Sequence, residues 1–180
     1  MALVNRMVRA AQLDVNLYEE VEADKTAMGQ AILVVVLGSL ATGIGSVTEG
    51  GWPGLIAGVV VGLIGWAVWA WLNYFIGTRL FKEPETVADW GQLARTMGFA
   101  STPRLVALLA IIPIPALRGI ILLVSVIWNW IAMVIAVRQA LDYKSTWRAA
   151  GVTLLGAIIN AVVLVLVQVV LISSIKGLVS

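Results

Sequence analysis

Residues 18–45 read YEEVEADKTAMGQAILVVVLGSLATGIG. Asp14, Glu19, Glu20, Glu22 and Asp24 form an acidic neck just ahead of an uncharged run. That run starts after Lys25 and ends before Glu49, which is long enough to cross a bilayer as a helix. The rest of the chain repeats the second half of this pattern: 61% of the 180 residues are hydrophobic, and only 12% are charged. A soluble domain with so little charge would carry too much apolar surface, so the composition points to a polytopic membrane protein.

Outward from the neck, Leu3, Val4, Met7, Val8, Ala11, Tyr18 and Val21 recur at roughly helical spacing, with Asp14 interrupting the stripe. This predicts an amphipathic helix over 2–22 lying on the membrane surface. Arg6 and Arg9 are followed by polar and acidic residues where a signal peptide would have its apolar core, so the first span is expected to direct insertion. The reading divides the chain into a cytoplasmic segment, 1–26, and an all-α membrane domain, 27–180. Spans are expected at about 27–47, 54–77, 104–117, 119–137 and 149–175, with TEGGWPG (48–54) as a tight connector. The third is the odd one. Only 13 residues separate Arg104 from Arg118, roughly 20 Å as helix against a hydrocarbon core of about 30 Å. Pro113 and Pro115 interrupt it, so it is expected to be short, kinked or part-way across.

Between spans two and three, ETVADWGQLARTMG predicts a short surface helix on the cytoplasmic side. Thr86 would cap it with Asp89 answering, Trp90, Leu93 and Met97 would share a face, and Gly98 would end it. With a cytoplasmic N-terminus, Arg6, Arg9, Lys25, Arg79, Lys82, Arg95, Arg104, Arg138, Lys144 and Arg148 fall inside, and only Arg118 and Lys176 outside. This bias sets the orientation, with the C-terminus on the far side. It also predicts that the neck docks on the basic residues Arg79, Lys82, Arg138, Lys144 and Arg148.

The stretches YEEVEAD, GQAILVVVLGSLATGIG, FIGTRLF, ADWGQLARTMGFAS, IIPI and AMVIAVRQALDY, in this order, resemble the YIP family (the Ypt/Rab-interacting protein family), in its bacterial form. The resemblance covers about Tyr18 to Leu155. It implies five helical spans and a cytoplasmic N-terminus. Eukaryotic relatives work with prenylated small GTPases in membrane traffic, but their DLYGP-type motif is absent, and YEEVEAD occupies the comparable place.

The chain has no cysteine and no histidine. Disulfides, thiolate or imidazole metal sites and His-assisted nucleophiles are therefore excluded. The ionisable residues Glu49, Arg118, Arg138 and Lys176 all fall at predicted span ends, leaving none for a proton relay, which disfavours a secondary transporter. No enzyme activity, cofactor or nucleic-acid partner is expected. Small residues at Gly54, Gly58 and Gly62, at Gly38, Thr42 and Ser46, and at Thr153, Ala157 and Ala161 form stripes suited to helix packing. Trp66 and Trp69 share a deeper face of span two. Gln30, Asn73, Asn129, Asn160 and Gln168 are read as interhelical hydrogen-bonding groups. The first functional reading is a non-catalytic membrane organiser, adaptor or scaffold. Its partner-binding residues would be Tyr18, Glu19, Glu20, Glu22 and Asp24. The second is an accessory subunit of a larger energy-transducing complex, held through Trp66 and Trp69. The third is a small-solute transporter or channel. Membrane lipids, other membrane subunits or a second copy are the expected partners.

Overall fold

The computed structural model describes residues 2–43, 47–112 and 114–179, with side chains described through residue 169 apart from 47–50. Among the described residues there is no strand. The helices are α1 (Leu3–Ala11), α2 (Val15–Ala23), α3 (Met28–Gly43), α4 (Val47–Phe75), α5 (Trp90–Ala100), α6 (Pro115–Ala140) and α7 (Thr146–Val179). A 3₁₀ segment, Thr102–Ile111, joins α5 to α6.

Among the described residues, four helical stretches are long and apolar enough to cross a membrane: Lys25–Gly43, Gly51–Leu80, Pro115–Ala140 and Thr146–Val169. Their outer faces carry exposed aliphatic side chains such as Ile56, Ile64, Leu123, Ile127, Val162 and Leu166. A lipid-facing belt needs this composition, because lipid exerts no hydrophobic penalty on such surfaces. The segment expected as span three is ten residues of 3₁₀ helix, and Pro113 lies outside the described residues. The TEGGWPG connector is helical on both sides of a break at Gly51, whose φ of 59° and ψ of −164° suit only glycine.

Two expected helices take a different form. The predicted 2–22 helix is broken at Leu13, which has a φ of 62°. Asp14 then caps α2 by accepting from the Asn16 amide at 3.0 Å. The chain reverses there, so α1 folds back toward α2.

The predicted surface helix is the centre of the bundle. In α5 every residue from Leu93 to Ala100 is buried, and the helix packs on α2, α3, α4 and α6. Its cap is Asp89 rather than Thr86. Asp89 accepts from the Gln92 amide at 2.9 Å, and the Gln92 side chain accepts from the Asp89 amide at 2.6 Å. Thr86 instead closes the preceding turn by accepting from the Glu83 amide. Gly98 does not end α5; it lets α5 approach α3. A Cβ at Gly98 would lie 2.7 Å from the Ala31 Cβ. The polar side chains of α5 find partners inside. Arg95 donates to the carbonyls of Val21 and Glu22, and Thr96 donates back to Gln92 or Leu93.

Of the predicted glycine stripe, only Gly62 meets α3, where Ser39 Oγ occupies the space a Cβ would need. Gly54 and Gly58 have nothing within 4 Å of a would-be Cβ, because that edge of α4 faces outward. Ser46 lies outside the described residues. These contacts predict that Gly98→Ala lowers the thermal unfolding midpoint of the full chain in mild detergent, at a cost of about 1–3 kcal/mol. Gly54→Ala and Gly58→Ala should leave it unchanged or raise it, by up to about 1 kcal/mol each.

Candidate functional site

The reversal at Leu13 brings the two arginines of α1 against the acidic neck. Arg6 is 5% exposed. Its guanidinium donates to Glu20 Oε1 at 3.1 Å, to Asp24 Oδ2 at 2.7 Å and to Gln30 Oε1 at 2.9 Å. One planar group thus ties α1 to α2, to the turn after it and to the first turn of α3. Arg9 bridges Asp14 at 2.7 Å and Glu20 at 2.6 Å. The planar fork of arginine suits several fixed acceptors at once.

The neck is therefore docked, but its basic partners are Arg6 and Arg9 rather than those of the later loops. Lys144 pairs with Glu85 at 2.6 Å and Arg148 with Glu83 at 3.3 Å, so those cations are engaged across the 81–89 and 141–146 loops. Proximity in the folded-back segment decides the pairing.

The other candidates in the neck are spread over different surroundings. Tyr18 is fully buried and donates to the Ala10 carbonyl at 3.3 Å. Glu19 is exposed and accepts from Gln139 Nε2. Glu22 accepts from Gln92 Nε2 at 3.0 Å. A Thr26 hydrogen bond, then Arg6, holds the Asp24 carboxyl down at about 2. Partial burial would raise the Glu20 carboxyl, but hydrogen bonds from Arg9 and Arg6 outweigh it and hold it below the usual range. Glu22 goes the other way. Burial first, then the charge of Asp142, pushes its carboxyl up to about 7.

Beside Glu19 and Glu22 lies a groove of about 480 Å³ lined by Glu85, Arg138, Gln139, Asp142, Tyr143 and Lys144. Its floor is fixed by the Tyr143 hydroxyl, 2.9 Å from the carbonyl oxygens of both Gly77 and Phe81. Arg138 donates to the Tyr143 carbonyl at 3.1 Å. Sequence reading pointed to these loops as a face but not to a groove, since Asp142 needs a φ of 53° to turn the chain.

Trp66 and Trp69 point inward. Trp66 Nε1 donates to the Ala94 carbonyl of α5 at 3.2 Å, and Trp69 Nε1 to the Thr153 carbonyl of α7 at 3.3 Å. Trp69 also stacks on Trp130, with ring centroids 6.3 Å apart. Trp90 and Trp128 do the same work, donating to Ala67 and Ala11. Buried indoles normally find such partners.

Together these features define an all-helical integral membrane protein with a folded amino-terminal cap. The Yip1 domain matches residues 16–167, from the start of α2 into α7, and the chain belongs to the Yip1 domain family. Comparison with curated proteins and with solved structures found no match.

Two outcomes follow from the charges. Arg6→Met should destabilise the protein by about 2–4 kcal/mol, because two carboxylates and an amide lose one shared partner. Arg6→Lys should recover less than half of that loss, since an ammonium lacks the fork that spans the three acceptors. Thermal melts of the three proteins measure both. Glu22 titrates near 4.5 when unfolded and near 7 when folded, so the folded chain holds the proton more tightly. Stability from this group is then full below about 4.5 and is lost as pH rises through about 7. Glu22→Gln should remove this dependence. Above pH 8 the variant should be more stable than the parent by about 1–2 kcal/mol after solvent screening, read as the difference between the two melting profiles.

Proposed function

We propose that this Yip1-family protein is a non-catalytic membrane organiser or adaptor whose working surface is the amino-terminal face of the bundle. The observation that carries this reading is the convergence of the docked neck, the 81–89 loop and the 141–146 loop around the polar groove. The exposed ends of that surface, Glu19, Glu85 and Lys144, offer charge of both signs to a soluble segment.

Five crossings account for the fold: α3, α4, the composite of α5 and the 3₁₀ segment, α6 and α7. The eleven residues of α5 and ten of 3₁₀ helix give a path of roughly 36 Å at 1.5 and 2.0 Å per residue. The face bearing the neck holds Arg6, Arg9, Lys25, Arg79, Lys82, Arg95, Arg138, Lys144 and Arg148, against Arg104, Arg118 and Lys176 toward the other end. The positive-inside rule then puts this face in the cytoplasm and the C-terminus opposite. Trp71 stacked on Phe75 and exposed Trp147 near this face, with exposed Trp52 at the other, fit aromatic belts at the two interfaces.

An accessory role in a larger membrane assembly is the second reading, and it rests on the outward edge of α4. Gly54 and Gly58 there leave open space that another helix could fill.

Photo-crosslinking amino acids placed singly at Glu19, Lys144, Gly54 and Trp52 in native membranes separate the readings. The adaptor reading predicts adducts with a soluble or peripheral protein from positions 19 and 144. Adducts with an integral protein from position 54 alone would favour the subunit reading, and adducts from Trp52 alone would contradict both.

A further inference from the structure

A second cavity, of about 390 Å³, lies inside the bundle, between α4, α6, α7 and the 3₁₀ segment. Its wall on α4 includes Gly58, Gly62 and Gly65; a Cβ at Gly58 would meet nothing within 4 Å, whereas at Gly62 and Gly65 it would meet Ser39 and Leu164. Arg104 reaches into it from the 3₁₀ segment, Asn129 from α6 and Asn160 from α7.

Arg104 stands far from the charged face to which sequence counting assigned it. Its Cβ lies 3.4 Å from where a Gly38 Cβ would be, and its Nη2 donates to Thr42 Oγ1 at 3.3 Å. Gly38 is 13 residues beyond Lys25 and Thr42 is 17 beyond it, so Arg104 enters at roughly 20 Å along α3 and its guanidinium lies at roughly 26 Å, near the far end of a core of about 30 Å. Among the described residues no carboxylate pairs with Arg104. A guanidinium near the far edge of the hydrocarbon core, with no carboxylate beside it among the described residues, stands at the level of lipid phosphates.

The acceptors in the cavity are also unmatched. Asn129 Oδ1 and Asn160 Oδ1 are buried and have no hydrogen-bond partner among the described residues. The cavity therefore offers a positive fork with spare donors and two amide oxygens seeking donors. Trp66, Trp69 and Ser101 complete the lining with the apolar Val61, Met133 and Leu164, and Gly58 and Val61 are exposed on the lipid-facing edge of α4.

We propose that this cavity binds the head of an anionic glycerophospholipid entering sideways past Gly58. The phosphate would pair with Arg104, and headgroup hydroxyls would donate to Asn129 and Asn160. The apolar mouth selects a lipid over a free anion, because acyl chains can continue from it into the bilayer.

Native mass spectrometry of the full chain, delipidated in mild detergent, tests this with three probes: phosphatidylglycerol, diacylglycerol and inorganic phosphate. The expected result is one phosphatidylglycerol per chain, with little diacylglycerol or phosphate. Occupancy should fall at least tenfold in Arg104→Gln and stay at the parent level in Arg118→Gln. Gly58→Leu gives an independent check. It adds bulk where there is open space, so it should keep the lipid-free melting midpoint and lose the lipid. Equal phosphatidylglycerol binding by Arg104→Gln and the parent would overturn the proposal. So would diacylglycerol binding as well as phosphatidylglycerol, or inorganic phosphate displacing the lipid.

Discussion

The Arg6 guanidinium holds three segments at once: Glu20 in α2, Asp24 in the turn after it, and Gln30 at the start of the first span. Burying a charge is costly, and removing one partner of such a cluster leaves the others exposed to that cost. The cluster is thus worth more as a positioning device than as net stabilisation. It fixes where α1 and α2 sit on the bundle, and that position sets the rest. Val21 and Glu22 present their carbonyls to Arg95, which brings the polar middle of α5 into the interior. Leu17, Val21 and Phe99 then close a small core with Ala27, Ala31 and Val34. Through these contacts α1 and α2 pack on the bundle, and the family match, 16–167, takes in α2 but not α1.

Within the bundle, helices are joined by indole donors and by missing side chains. In lipid no hydrophobic force drives helices together, so close backbone approach and interhelical hydrogen bonds carry the packing. Gly98 against Ala31 and Gly62 against Ser39 supply the approach. Trp66, Trp69, Trp90 and Trp128 supply bonds to carbonyls of other helices. A carbonyl within a helix keeps a second lone pair after its helical bond, and Ala11, the last residue of α1, offers a carbonyl at a helix end. The tryptophans that sequence offered as a partner surface make internal joints, and both also line the cavity beside Arg104.

Four spans were legible because their uncharged runs exceed bilayer length, and the family resemblance was legible in the order of short motifs. The central helix was not. Gln92, Arg95 and Thr96 lower its hydropathy, and the partners of Gln92 and Arg95 lie in α2, remote in sequence. The acidic neck was visible as a feature, but its partners were not. They depend on a reversal at Leu13, where a non-glycine residue takes a positive φ without any sequence signature. Arg104 was misplaced because counting charges treats every cation as the end of a span. The 3₁₀ segment carries it inward, and nothing in PRLVALLAI distinguishes 3₁₀ from α geometry.

The central claim is that the amino-terminal segment is locked into the membrane domain. Hydrogen–deuterium exchange of the full chain in lipid nanodiscs measures this directly at the α2 amides, residues 15–23. The account predicts protection there comparable to the first turns of α3, because opening α2 would release Tyr18 and Val21 from the core together with the Arg6 cluster. Exchange across 15–23 at the rate of an unstructured peptide, with the spans still protected, would contradict it.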